Sequence, residues 1–150
     1  MKIEVISTPA ELPALAHRDL RQTACVVFDV LRATSTFVTA LQNGASEIIP
    51  VGEISEALEI KKTRPEVLLA AERRGVKIRA NGIDFDFGNS PREFTPEKIH
   101  GKTIVSTTTN GTRALRVCAS AKTILASSFL NLRATANFLE REKCENILLI

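Results

Sequence analysis

Short apolar runs broken by polar turns recur along the chain, and most are followed by a stretch with helical spacing. Ile3 to Ile6 reads as a strand and Thr8-Pro9 as a turn. Ala10 to Arg21 is charged and helix-compatible, with Pro13 limiting where a helix starts. Val26-Val27-Phe28 predicts a buried strand that stops at Asp29 and passes into a helix, for which Thr34, Ser35 and Thr36 are the candidate cap and first-turn residues. The stripe Phe37, Val38, Ala40, Leu41 carries that helix to Asn43-Gly44, glycine being the usual residue past a helix end.

The same rhythm continues. Ser46 to Val51 reads as a strand and Ser55 to Thr63 as an amphipathic helix carrying Ala57, Leu58 and Ile60. Val67 to Ala71 is a strand that delivers Glu72-Arg73-Arg74-Gly75. Lys102 to Ser106 is another, leading through Thr107 to Arg113 into the helical stripe Ala114, Leu115, Val117, Cys118. Thr123 to Ala126 ends at Ser127-Ser128-Phe129-Leu130-Asn131, a helix follows from Leu132 to Lys143, and Glu145 to Ile150 is a last apolar strand. This alternation predicts an α/β fold: a mainly parallel sheet with helices on both faces, three layers α/β/α. With no repeat, low-complexity tract or linker, residues 1–150 read as a single domain. A final buried-type strand without a polar tail further suggests the N-terminal part of a longer protein.

Between Val76 and Phe94 the pattern breaks at Gly82, Gly88 and Pro91. A loop this long in a compact domain is functional or disordered, and Phe85, Phe87 and Phe94 argue for order. Asp84 and Asp86 make a D-x-D pair that suits turn hydrogen bonds as well as metal binding.

Composition narrows the function classes. Across 150 residues, 44% hydrophobic and 25% charged are ordinary values for a soluble globular protein. Twenty basic against 17 acidic residues leave a net charge of only +3, and without Trp or Tyr the usual base-stacking platforms are missing, so nucleic acid is not an expected partner. No apolar run approaches the length of a membrane span, and no membrane partner is expected. Cys25, Cys118 and Cys144 are odd in number and scattered, which fits a reducing cytoplasm. His17 stands alone and reads as a surface or half-buried structural residue, and His100, next to Gly101, reads as a loop residue.

The polar residues concentrate where strands end: Asp29, Arg32, Thr34 and Ser35; Glu72, Arg73 and Arg74; Thr107 to Arg113; Ser127, Ser128 and Asn131. In a parallel sheet these ends share one edge, the place where α/β proteins bind ligands. Arginine outnumbers lysine, 12 to 8, and planar guanidinium forks suit phosphate or sulfonate oxygens. Asp29 and Glu72 are the expected ligands of a hard cation such as Mg²⁺. Hydroxyls, Gly111 and Arg113 after the strand at Ser106 read as an oxyanion cradle or as an ordinary helix cap. Together these features point to a small polyanionic ligand and metal-assisted phosphoryl transfer.

The runs FDVLRATST, ERRG, FDFGNSPREF, STTTNGTRAL and SSFLN, in this order and spacing, resemble the 2-phosphosulfolactate phosphatase family, which in some archaea serves coenzyme M biosynthesis. The resemblance covers nearly the whole chain. It implies an α/β fold and Mg²⁺-dependent hydrolysis of 2-phospho-3-sulfolactate to 3-sulfolactate and phosphate. Carried over by position, the implicated residues are Asp29, Arg32, Thr34, Ser35, Glu72, Asn89, Ser90, Asn110, Gly111, Thr112, Arg113 and Asn131. Asp29, Arg32, Glu72 and Arg113 are the expected catalytic groups, Asp29 and Glu72 also the metal ligands, and the others contact substrate. Water activated by the metal is favoured over Asp29 as nucleophile, because Leu31 stands where aspartyl-phosphate enzymes carry a second Asp. Members of the family continue for many tens of residues beyond the strand at Ile150. The alternatives are a phosphatase for another small phosphate monoester, or a non-catalytic anion- or nucleotide-binding domain. A homo-oligomer is compatible with all of these.

Overall fold

The computed structural model describes residues 1–80 and 82–150. In chain order it runs β1 (Lys2–Val5), α1 (Leu12–Leu15), β2 (Thr23–Phe28), α2 (Ala33–Gln42), β3 (Glu47–Pro50), α3 (Ile54–Thr63) and β4 (Leu68–Arg73). Then come the two-residue strands β5 (Val76–Lys77), β6 (Arg79–Ala80) and β7 (Ile83–Asp84), followed by α4 (Pro96–Ile99), β8 (Thr103–Thr107), α5 (Gly111–Val117), β9 (Thr123–Ser127), α6 (Leu132–Arg141) and β10 (Asn146–Leu149).

The α/β class with parallel strands holds, and the strands divide between two four-stranded sheets and a separate β6-β7 pair. One is all parallel in the order β1-β10-β2-β9. The other has the order β3-β8-β4-β5, parallel except for β5, which turns back antiparallel on β4. β3 ends the second sheet and carries Pro50, which has no N–H to donate and is tolerated on an edge strand.

Side-chain alternation builds the core. In β8, Ile104 and Val105 point to opposite faces: Val105 joins Ala57 and Leu58 of α3, while Ile104 joins Ala40 of α2 and Ile99 of α4. Helices therefore cover both faces of that sheet. On the other sheet, Cys25 and Val27 of β2 pack with Leu15, Ala114 and Cys118 beneath α1 and α5.

Two expectations change. The segment from Ala10 to Arg21 contributes a 3₁₀ turn at Pro9–Glu11 and only four residues of α1. Leu12, Leu15 and Leu20 are its main apolar anchors, too widely spaced after Leu15 to hold a longer helix on the core. The segment after Val76 is not one irregular loop. It forms the β4–β5 and β6–β7 hairpins, then runs beside β4, where Phe87 N–H donates to Leu69 O at 3.0 Å and Phe87 O accepts from Ala71 N–H at 3.0 Å.

Phe85 and Phe87 enter the cores on opposite faces of the sheet, and the Phe87 and Phe94 rings lie 4.7 Å apart. Asp86 Oδ2 accepts from Leu69 N–H at 2.7 Å, and Asp84 lies 3.4 Å from Arg79 and 3.6 Å from Lys77, so both acids have structural partners. No helix among the described residues is long and apolar enough to cross a membrane.

Candidate active site

At the carboxyl ends of β2, β4 and β8, a 240 Å³ cleft is lined by Asp29, Leu31, Arg32, Glu72, Arg74, Gly75, Asn89, Thr109 and Asn110. Residues more than 80 positions apart share it because parallel strands deliver their last residues to one edge.

Glu72 is held from both oxygens. Thr109 N–H donates to Oε1 at 2.8 Å, and Gly75 N–H donates to Oε2 at 2.7 Å. Burial by itself raises the pKa of Glu72. The hydrogen bonds from Thr109 and Gly75, with the charge of Arg73, outweigh it and leave the carboxyl below its ordinary value of 4.5. Arg73 points away from the cleft and ties the strand end down: it donates to Glu72 O at 2.9 Å and to Thr107 Oγ1 at 3.0 Å.

Asp29 behaves in the opposite way. Burial, aided by the nearby charge of Glu72, raises its pKa above 3.8, against hydrogen bonds from the backbone of Ala33, Gly111 and Arg32. Its Oδ1 accepts from Ala33 N–H at 3.2 Å, at the start of α2. Asp29 thus satisfies the helix end for which the sequence offered Thr34, Ser35 and Thr36. Those three residues lie inside the helix. Thr34 is buried, Ser35 donates to Val30 O at 2.7 Å, and Thr36 donates to Asn89 O at 3.0 Å, pinning the 85–91 loop over the cleft.

In the Thr107 to Arg113 turn, two N–H groups are taken by the protein itself: Thr109 on Glu72, and Thr112 on Thr108 Oγ1 at 3.3 Å. Thr112 returns the bond, accepting from Thr108 N–H at 3.1 Å in a fully buried knot. The turn therefore fixes the Glu72 carboxylate.

The cleft brings together Asp29, Arg32, Glu72, Asn89 and Asn110, with Gly111 against Asp29. Arg113 is exposed on α5 and does not line it, nor do Thr34, Ser35, Ser90, Thr112 or Asn131. Ser90 caps the 3₁₀ turn Pro91–Glu93, whose Glu93 accepts from Gly88 N–H at 2.9 Å. Asn131 ties the β9–α6 loop, accepting from Ser128 N–H at 2.8 Å and donating to Ala126 O at 2.9 Å. Thr109 and Arg74 line the cleft without having been singled out from the strand-end clusters. The ERRG run placed two arginines side by side, and only the hairpin geometry separates their directions.

The architecture is that of an open α/β protein with a polar cleft where its parallel strands end. Within that class, the chain belongs to the family described as 2-phosphosulpholactate phosphatase, which it matches over residues 8–150. It is 47% identical over 137 residues to a probable 2-phosphosulfolactate phosphatase of Caldanaerobacter subterraneus subsp. tengcongensis, covering 90% of this chain and 55% of that protein. Proteins with the same description from Thermotoga petrophila (54% over 125 residues, 83% of this chain, 51% of the relative) and Clostridium perfringens (44% over 149 residues, 97% and 58%) are also similar. The chain thus spans a little over half the length of these curated relatives.

Proposed function

We propose that the cleft is the active centre of a phosphoric monoester hydrolase whose substrate is a compact polyanion of the 2-phospho-3-sulfolactate kind. The observation that carries this reading is the arrangement of Asp29 and Glu72 in one small cleft with Arg32 and Arg74, while no carboxylate pairs with either arginine among the described residues. Guanidinium groups beside carboxylates they do not pair with are free to take a ligand's acidic oxygens.

The side-chain donors facing the cleft other than the guanidinium groups are carboxylate, amide and hydroxyl groups, with no imidazole or thiol, which suits Mg²⁺. Asp29 and Glu72 would hold it. Each carboxylate oxygen has two lone-pair directions, and the backbone N–H bonds leave others for a cation. When bound, the ion supplies Lewis-acid polarisation of a phosphoryl oxygen and a more acidic water.

The chain's own groups do the rest. Arg32 and Arg74 neutralise acidic oxygens from two walls, while Asn89 and Asn110 offer amide hydrogen bonds for orientation. Glu72 stays ionised through its backbone donors. We place the activity in the cytoplasm, where the free thiols of Cys25, Cys118 and Cys144 persist.

The test is phosphate release from a panel of phosphate monoesters, with and without added Mg²⁺. Turnover should need the cation, and D29N and E72Q should each lower kcat by roughly a hundredfold or more. Activity of D29N within about tenfold of the parent at saturating Mg²⁺ removes the role given to Asp29. Tight binding of the esters with no turnover leaves a binding domain in place of an enzyme.

A further inference from the structure

β1 closes one side of the all-parallel sheet and pairs with β10 alone. Lys2 N–H donates to Glu145 O at 2.6 Å and Ile6 N–H donates to Leu149 O at 2.8 Å, so the even-numbered residues of β1 turn their peptide groups toward β10. Those of Ile3 and Val5 therefore face outward. An edge strand in this state is a template for another strand.

The side chains alternate as well. Ile3 and Val5 are 52% and 62% exposed on one face of the strand, and Met1, 87% exposed, precedes them at the same spacing. Lys2 and Glu4 share the other face at 2.7 Å, with Arg18 also 2.7 Å from Glu4. The remaining ends of the two four-stranded sheets are less open to pairing. β3 carries Pro50, β5 is two residues long, and α2 packs against β9.

A second copy of β1 laid antiparallel about a two-fold axis can be centred on several residues, and they are not equivalent. Centred on Lys2 or Glu4, like charges meet, and the peptide groups at the centre point the wrong way. Centred on Val5, Glu4 meets Ile6 and Lys2 meets Thr8, so each charge faces an uncharged residue. Centred on Ile3, the outward N–H and C=O groups of both Ile3 residues exchange hydrogen bonds, as a hydrogen-bonded antiparallel pair requires. Val5 then lies opposite Met1 of the second copy, which extends the apolar row, and Lys2 lies opposite Glu4 on both sides of the axis. Apolar and opposite-charge pairs across such a seam stabilise it, while like charges directly opposite destabilise it.

We propose that β1 is the interface of a homodimer, in which two copies of this chain pair β1 to β1 antiparallel, Ile3 against Ile3, and join their four-stranded sheets into one continuous sheet. The strands of the two copies run in opposite directions. The clefts at their carboxyl ends thus open at opposite edges of the joined sheet, and each is built from one copy.

Sedimentation velocity over a wide range of protein concentration tests this. The parent should pass from monomer to dimer as concentration rises. Ile3→Lys sets two lysines face to face at the centre of the seam and should weaken the dimer by about tenfold or more. K2E makes an edge with two carboxylates and E4K an edge with two ammonium groups. Each alone should weaken the dimer by about tenfold, because the two-fold axis repeats the like-charge contact. An equimolar mixture of K2E and E4K should regain it, since every carboxylate at the seam then faces an ammonium group. That recovery also shows both variants to be folded.

A parent that stays monomeric at the highest concentration overturns the proposal, whether water or another polypeptide covers the edge. A dimer that I3K, K2E and E4K leave unchanged also overturns it and moves the contact elsewhere, for example to the apolar groove beside Phe37 and Leu41. So does a mixture of K2E and E4K that remains monomeric.

Discussion

Gly111 stands so close to Asp29 that a β-carbon on it would lie 2.5 Å from Asp29 Oδ2 and 2.8 Å from Ala33 Cβ. Helix α5 of one strand-end loop thus starts against the carboxylate of another, and the absence of a side chain is what lets the two loops meet. The approach also places Gly111 beside an acid whose pKa is raised chiefly by burial, against the lowering effect of backbone donors at Ala33, Gly111 and Arg32.

G111A is expected to push Asp29 off its position, because the added Cβ would stand inside contact distance of both Asp29 Oδ2 and Ala33 Cβ. Overpacking of this kind costs about 1–3 kcal/mol of stability. Urea denaturation should show that loss, together with a fall in kcat of roughly a hundredfold in the protein that remains folded.

T112V tests the buried knot at the head of α5. Valine keeps the shape but leaves Thr108 N–H without its acceptor in a fully buried place. The expected cost is about 1–3 kcal/mol, read from the shift in denaturation midpoint. A variant as stable as the parent would show that Thr108 finds another partner.

R73M removes the strut that joins Glu72 O to Thr107 and the positive charge that helps keep the Glu72 carboxyl below 4.5. The Glu72 pKa should rise, and the acid limb of the pH–activity profile should move to higher pH with it. Carboxyl-detected NMR titration of Glu72 in parent and variant measures the shift directly. An unmoved titration excludes the electrostatic part of this role.

The two cleft acids should affect acid stability with opposite signs. The Glu72 pKa is lowered in the fold, so its contribution is present above 4.5 and is lost as pH falls through the folded value. E72Q should therefore be less stable than the parent at neutral pH, with the gap closing in acid. The Asp29 pKa is raised, so its contribution is present below 3.8 and is lost as pH rises through the folded value. D29N should gain stability relative to the parent at neutral pH and lose that advantage in acid. Thermal melts of the pair across this range check both signs, and a shared sign contradicts the assignment.

Much of the scaffold was legible from the chain alone. Apolar runs such as Ala24 to Phe28 and Leu68 to Ala71 are strands, and the stripes after Ala33 and Leu132 are helices, because period-2 and period-3.6 burial leave their mark in the order of side chains. The strand-end position of Asp29 and Glu72 followed from the same logic. The alternation of Phe85 and Phe87 was there to be read too, but flanking glycines and a proline disguised an extended segment as a loop.

What the tertiary structure decided was direction and partnership. Adjacent arginines at 73 and 74 look alike in sequence, yet the hairpin turns one into a strut on Thr107 and the other toward the cleft. Arg113, promising beside Asn110-Gly111-Thr112, lands exposed on α5. The hydroxyls and N–H groups of the Thr107 to Thr112 turn were visible as donors, but two of them find partners far away in the chain: Thr109 N–H on Glu72 and the Thr107 hydroxyl on Gly52 O. Local sequence specifies which groups are present and with what period. Which of them face each other depends on long-range strand pairing, and no window of neighbouring residues contains that information.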